Sequence, residues 1–447
     1  MTITIGKDAR EVCMRIKRDK YLNDLILRMD NGLIKVITGV RRCGKTYLMF
    51  DIFSAYLRES GIDGSHIIEV ALDEDEFAAL CDPAVLSAYI RERITDAESR
   101  YYVLIDEVQR TISDEERKDV SNPPRIYGVL NSLLRMRNVD VYVSGSNSKF
   151  LSSDIMTEFR GRGDQVRVRP LSFSEFMQVY NGDVYHGWSE YATFGGMPLI
   201  CTMRTDEQKM AYLENLFAET YMKDIIARNG IVKTQELDDL MDVLASCIGA
   251  LTNPLKIQAT FKSELHSDIA RNTVESYIGY FEDSFLVEEA RRYDVRGRKH
   301  IGSPKKYYFE DVGLRNARLG FRQVEQTHIM ENVIYNELRM RGFSVDVGVV
   351  EKRVRDNRGK QIRKSLECDF VANRGNDRCY IQSVLQIPTA EKEDSEKASL
   401  RAIGDNFRKI VLVRDVVKPL YDDEGILTMS VYDFLLGAER DALDAIR

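Results

Sequence analysis

The stretch 33–50, LIKVITGVRRCGKTYLMF, constrains this chain more than any other. Leu33, Ile34, Val36 and Ile37 form an apolar run that reads as a buried strand. It leads directly into Gly39-Val40-Arg41-Arg42-Cys43-Gly44-Lys45-Thr46, a G-x-x-x-x-G-K-[ST] loop followed by Tyr47. That spacing lets backbone N–H groups wrap a phosphate with no side chain in the way. Lys45 then sets a point charge on the β- and γ-phosphates, and Thr46 offers its hydroxyl to Mg²⁺ where an amphipathic helix (Tyr47, Leu48, Phe50, Ile52, Phe53) begins. Residues 39–47 are the expected ATP-binding loop.

A nucleotide site needs a second, acid-bearing strand, and 101–107 (YYVLIDE) supplies one. Asp106 is expected to hold Mg²⁺ through water and Glu107 to polarise the attacking water. A further strand, 139–143, ends in Ser144-Gly145-Ser146-Asn147. Asn147 or Ser146 at that strand end is placed to sense the γ-phosphate, although a plain turn would use the same letters. Strands alternating with helices (82–93, 126–137) predict a parallel sheet with helices on both faces and a ligand at the carboxyl ends of the strands.

Composition excludes several classes. The chain has 447 residues, a formal charge of −7, 44% hydrophobic and 30% charged residues, which is globular composition with length for about three domains. No apolar run reaches the roughly 20 residues needed to span a bilayer, and MTITIGKDAREV lacks the build of a signal peptide, so the expected location is cytoplasmic with no membrane partner. Seven scattered cysteines without a C-x-x-C argue against a disulfide framework or a zinc site. The acidic balance confines any nucleic-acid binding to a local surface.

The motifs GVRRCGKT, VLIDEVQ, VSGSNSKFLS, the Gly161-Arg162 step before a strand, RPLSFSEF, FGGMP and TYMKDII together resemble the prokaryotic AAA-type ATPases that carry a C-terminal domain of unknown function. The likeness runs from the first strand to near the C-terminus. It implies an α/β AAA-type P-loop domain over 1–170, and a position for an arginine finger at Gly161-Arg162. Arg160 and Arg162 are not separable by sequence; Arg162 is preferred. Residues 171–228, with Leu213, Leu216, Phe217, Tyr221, Ile225 and Ile226 in an apolar stripe, are expected to form a helical lid or connector.

Beyond it, 229–320 reads as helices followed by a basic hairpin (291–306), a winged-helix pattern. Arg271, Asn272 and Thr273 at the start of its second helix, beside that wing, suit contacts to double-stranded DNA; a solvated hairpin used for protein contacts is the alternative. The last region, 321–447, carries Glu331 on a helix, Asp369 on a strand, and Gln382-Ser383-Val384 on the next strand. A metal-dependent nuclease would need an acid and a lysine where Gln382 and Val384 stand. The expected module is therefore restriction-nuclease-like in fold and without nuclease activity, though its basic turn could still serve a nucleic acid or a protein. The leading expectation is an ATP-hydrolysing protein that couples Mg²⁺-ATP to DNA binding. The alternatives are a nucleotide-dependent regulatory switch with a protein partner and, behind it, an active nuclease. Sequence leaves the oligomeric state open.

Overall fold

The computed structural model describes residues 16–113, 115–116, 119, 122–145, 163–322, 325–355 and 361–437. Packing divides the chain into two compact units, 1–170 with 283–285 and 171–282 with 286–447.

The first unit is built on β1 (Ile34–Thr38), β2 (Ile67–Ala71), β3 (Tyr101–Asp106), β4 (Val139–Gly145) and β5 (Gly163–Arg167). All neighbours run parallel in the order β2-β3-β4-β1-β5. β1, β3 and β4 are buried at every position, as continuous Val/Ile/Tyr runs require when helices cover both faces. On one face Ile34, Val36, Val103, Ile105 and Val141 meet Leu86 and Ile90 of the helix Pro83–Arg93 and Leu130 and Leu133 of the helix Arg125–Leu134. The first of these helices starts sharply because the Asp82 side chain accepts the N–H groups of Ala84 and Val85. Since β4 lies between β1 and β3, the phosphate loop and the acid-bearing strand end are one strand apart.

The second unit holds an eight-stranded sheet. Its strands are β6 (Val287–Asp294), β7 (Lys299–Phe309), β8 (Ser344–Arg355), β9 (Gln361–Arg374), β10 (Asp377–Val384), β11 (Arg408–Val413), β12 (Leu420–Tyr421) and β13 (Ile426–Ser430), in the order β12-β13-β11-β10-β9-β8-β6-β7. The helices Thr234–Ser246, Pro254–Ser263 and Arg271–Asp283 lead into the β6–β7 hairpin expected as a wing. That hairpin does not stand alone: Arg292, Tyr293 and Asp294 of β6 pair in parallel with Val347, Gly348 and Val349 of β8, so it continues the C-terminal sheet. The helix Gln326–Met340 packs Ile334 and Leu338 against Phe370, Ile381 and Leu412.

One buried carboxylate organises this unit. Asp311 accepts N–H groups from Gly196 (2.7 Å) and Leu314 (3.0 Å), tying the FGGMP segment to the helix Val312–Arg318. The helix approaches so closely that a Cβ on Gly313 would sit 1.9 Å from the Phe194 carbonyl oxygen. Neighbouring polar side chains complete the knot: Arg315 Nε donates to the Ala245 carbonyl at 2.8 Å, and Asn332 both accepts from and donates to the backbone of Phe309 at 2.7 Å.

Burial pushes the Asp311 carboxyl up to about 6, against the pull of its N–H donors. A raised carboxyl binds its proton more tightly folded than unfolded. Its contribution to stability is thus full below the unfolded value near 4 and is lost as pH rises through about 6, a change on the order of 3 kcal/mol. Relative to wild type, Asp311→Asn should therefore gain stability between pH 4 and 7, measured as the difference in urea midpoint at each pH. Gly313→Ala should lower stability at every pH by on the order of 3 kcal/mol, because its methyl group meets backbone.

Candidate active site

The loop after β1 turns on two residues with positive φ, Gly39 (145°) and Gly44 (98°), and on Arg42 at 62°. At Gly39 the requirement is double, since a Cβ there would lie 2.0 Å from the Val168 carbonyl oxygen just past β5. The loop is held from beneath by Arg18, a buried side chain that donates to the Cys43 carbonyl (3.0 Å) and the Arg169 carbonyl (2.8 Å). Cys43 Sγ donates to Val168 O at 3.4 Å, so both ends of the loop are fastened to the segment after β5. Lys45 is buried, with Nζ donating to the carbonyls of Gly39 (3.1 Å) and Val40 (2.9 Å), which fixes the ammonium over the loop. Tyr47–Phe53 then continues as π-helix, a widened turn that is frequent at functional sites, before the α-helix Ser54–Glu59.

Asp106, at the end of β3, is fully buried and takes two hydroxyl hydrogen bonds. Thr46 Oγ1 donates to Oδ2 at 2.5 Å, and Ser144 Oγ of β4 donates to Oδ1. Burial raises the Asp106 carboxyl to about 6, against the Thr46 hydrogen bond, while the nearby Glu107 charge adds to the rise. Ser144 Oγ also accepts the Glu107 N–H at 3.2 Å. Glu107 has left-handed backbone (φ 53°), a conformation uncommon for a residue with a side chain, and its carboxylate accepts from Gln109 Nε2.

The structure thus brings Gly39, Lys45, Thr46, Asp106 and Glu107 to one side of the sheet, at the carboxyl ends of β1 and β3. Val40, Arg41 and Tyr47 follow as the rest of the loop and the start of the helix. Ser146, Asn147, Arg160 and Arg162 lie outside the described residues. Three participants were not legible beforehand. Arg18 sits 25 residues upstream in an ordinary amphipathic run and gives no signal. Ser144 and Gln109 belong to the motifs VSGSNS and DEVQ, whose polar letters offered several candidates.

In the second unit, Glu331 and Asp369 do share a buried cluster, but its cation is Lys306 of β7, a residue the sequence reading assigned to the wing. The Gln382 side-chain oxygen accepts the Asp369 N–H at 3.4 Å, and Val384 is core. Of the residues read as facing DNA, Arg271 is engaged by Glu275 at 2.8 Å, and Arg291 and Lys305 are both engaged by Glu289.

Arg18→Ala should lower the stability of the full chain by about 1–3 kcal/mol, read from chemical denaturation, since it leaves two buried carbonyls without their charged donor.

Residues 31–177 match the family described as an AAA domain, and 185–325 match a domain of unknown function, DUF8612. An uncharacterized protein of Haemophilus influenzae is 31% identical over 426 residues, covering 94% of this chain and 98% of that protein. An uncharacterized protein of Methanocaldococcus jannaschii is 27% identical, covering 93% and 89%. Among solved structures, the Walker-type ATPase PABY2304 of Pyrococcus abyssi aligns with a TM-score of 0.47 at 12% identity, over 68% of this chain and 96% of that one. The Aeropyrum pernix ORC1 protein in complex with DNA aligns with a TM-score of 0.27 at 12% identity, over 68% and 92%. Among the described residues no helix is long and apolar enough to cross a membrane. With its phosphate loop, its acid-bearing strand and near end-to-end likeness to the Haemophilus influenzae protein, the chain belongs to that protein's family, its residues 31–177 matching an AAA domain.

Proposed function

We propose that the protein binds ATP with Mg²⁺ at residues 39–47 and hydrolyses it, and that nucleotide state governs how the second unit engages a partner. The observation that carries this reading is the hydrogen-bonded chain Thr46–Asp106–Ser144, which aligns the loop with the ends of β3 and β4. A hydroxyl and a buried carboxylate 2.5 Å apart are hard oxygen donors of the kind Mg²⁺ takes, so Thr46 and Asp106 fit as the residues that would hold it. When bound, the ion supplies charge neutralisation at the β- and γ-phosphate oxygens.

The chain's own groups do the rest. Backbone N–H groups of residues 39–46 cradle the phosphates, and Lys45 moves from the loop carbonyls to the phosphate oxygens. Glu107, on a backbone fixed by Ser144, accepts hydrogen bonds from the attacking water and orients it. Arg162 is proposed to place a positive charge on the γ-phosphate and Asn147 to contact it; both roles come from their positions in sequence.

For the partner, the reading from the basic hairpin is double-stranded DNA. A protein partner is favoured by a specific observation: the cleft between the helix Arg271–Asp283 and the hairpin is a cavity of about 210 Å³ lined by Glu275, Glu282 and Glu289 along with Arg271, Lys305 and Tyr307. Glu275 and Glu289 already pair with Arg271, Arg291 and Lys305, so these cations are engaged within the protein and are less available to DNA phosphates.

Phosphate release by the purified protein, with and without duplex DNA and over a range of salt, separates the two. Stimulation that falls steeply with salt supports DNA; indifference to DNA supports a protein partner. No nucleotide-dependent turnover under any condition would reject hydrolysis itself.

Lys45→Ala should abolish ATP binding in calorimetry. Glu107→Gln should retain binding while kcat falls by about 100-fold or more. Ser144→Ala should lower kcat by about tenfold with KM for ATP nearly unchanged, because it loosens both acids without touching the phosphates.

A further inference from the structure

The acid cluster of the second unit plays no part in the function proposed above. Lys306 Nζ is 2.8 Å from Glu331 Oε1 and 2.8 Å from Glu367 Oε1, and its side chain is 4% exposed. Tyr308 OH donates to the same Glu331 Oε1 at 2.5 Å. Asp369 Oδ2 accepts the Ser383 N–H at 2.8 Å.

We infer that this cluster is closed by the Lys306 ammonium and is not a divalent-metal centre: the chain carries its own cation where the nuclease-like arrangement of Glu331 and Asp369 implies a metal ion.

Three observations support this. Glu331 Oε1 already receives two donors and Asp369 Oδ2 a third, so one oxygen of each carboxylate is committed within the protein. Gln382 brings an amide where a third carboxylate would be required. Among the described residues no set of three or more His, Cys, Asp or Glu side chains is arranged to hold a metal ion. The residues present therefore do not fit a divalent cation.

Electrostatics point the same way. Burial alone pulls the Lys306 ammonium down, but Glu331, Asp369 and Glu367 outweigh it and hold the group charged. An ion entering this site would have to displace a buried ammonium already paired with two carboxylates, at the cost of both ion pairs. The ammonium also has a mechanical role. It stitches β7 to the helix Gln326–Met340 and to β9, so the hairpin is bound to the C-terminal module by charge as well as by sheet pairing.

The test uses full-length, nucleotide-free protein and Mn²⁺ as the probe, with bound ion read by electron paramagnetic resonance. Wild type and Asp369→Asn should give the same Mn²⁺ titration. Lys306→Ala, which vacates the ammonium, should bind Mn²⁺ about tenfold more tightly than wild type and be stabilised by it, and the added Asp369→Asn change should remove the gain. Wild-type Mn²⁺ binding that disappears in Asp369→Asn overturns the inference, as does a folded Lys306→Ala protein indifferent to Mn²⁺. Should Lys306→Ala not fold, the comparison of wild type with Asp369→Asn decides.

Discussion

Asp106 is a carboxylate shut away from water with one hydroxyl on each oxygen. Leaving such a group without partners costs several kcal/mol, so its two donors and its depth in the sheet are inseparable. Thr46 comes from the helix after β1 and Ser144 from β4, and both must reach the end of β3. That single constraint fixes the register of three parallel strands at their carboxyl ends. Glu107 inherits its strained backbone from the same arrangement, since its N–H is held by Ser144. The neighbouring loop is pinned from the opposite side by Arg18 and by the close approach of Gly39 to Val168.

The second unit repeats the device with a different purpose. Asp311 gathers backbone N–H groups from two segments more than a hundred residues apart in sequence, and Asn332 and Arg315 satisfy carbonyls around it. Lys306 does the equivalent for carboxylates. Each of these groups is polar and buried, and each joins elements that hydrophobic packing alone would leave free to slide.

Much of this was readable in the sequence because the signals were local. The strand-loop-helix around Lys45 and the strand ending in Asp106-Glu107 follow from residue order and spacing within a few positions. Element types in the second unit were also legible: Glu331 lies on the helix Gln326–Met340, and Gln382-Ser383-Val384 lies within β10. What sequence could not show was partnership across distance. Lys306 reads as one more charge in a basic hairpin until β7 brings it to Glu331. Arg18 has no motif, because its role depends on where the Cys43 and Arg169 carbonyls point. The pairing of β6 with β8 leaves no trace in the letters of Arg292-Tyr293-Asp294 or Val347-Gly348-Val349.

That last pairing sets the practical limits of the molecule. A chain ended at residue 320 would keep the three helices and the hairpin but strip β8 from β6, leaving Arg292–Asp294 with a row of open backbone donors and acceptors and Lys306 without its carboxylates. A bare strand edge of this kind invites association with any neighbouring strand. The hairpin and the C-terminal module thus share one sheet, and a cut between them opens it between β6 and β8.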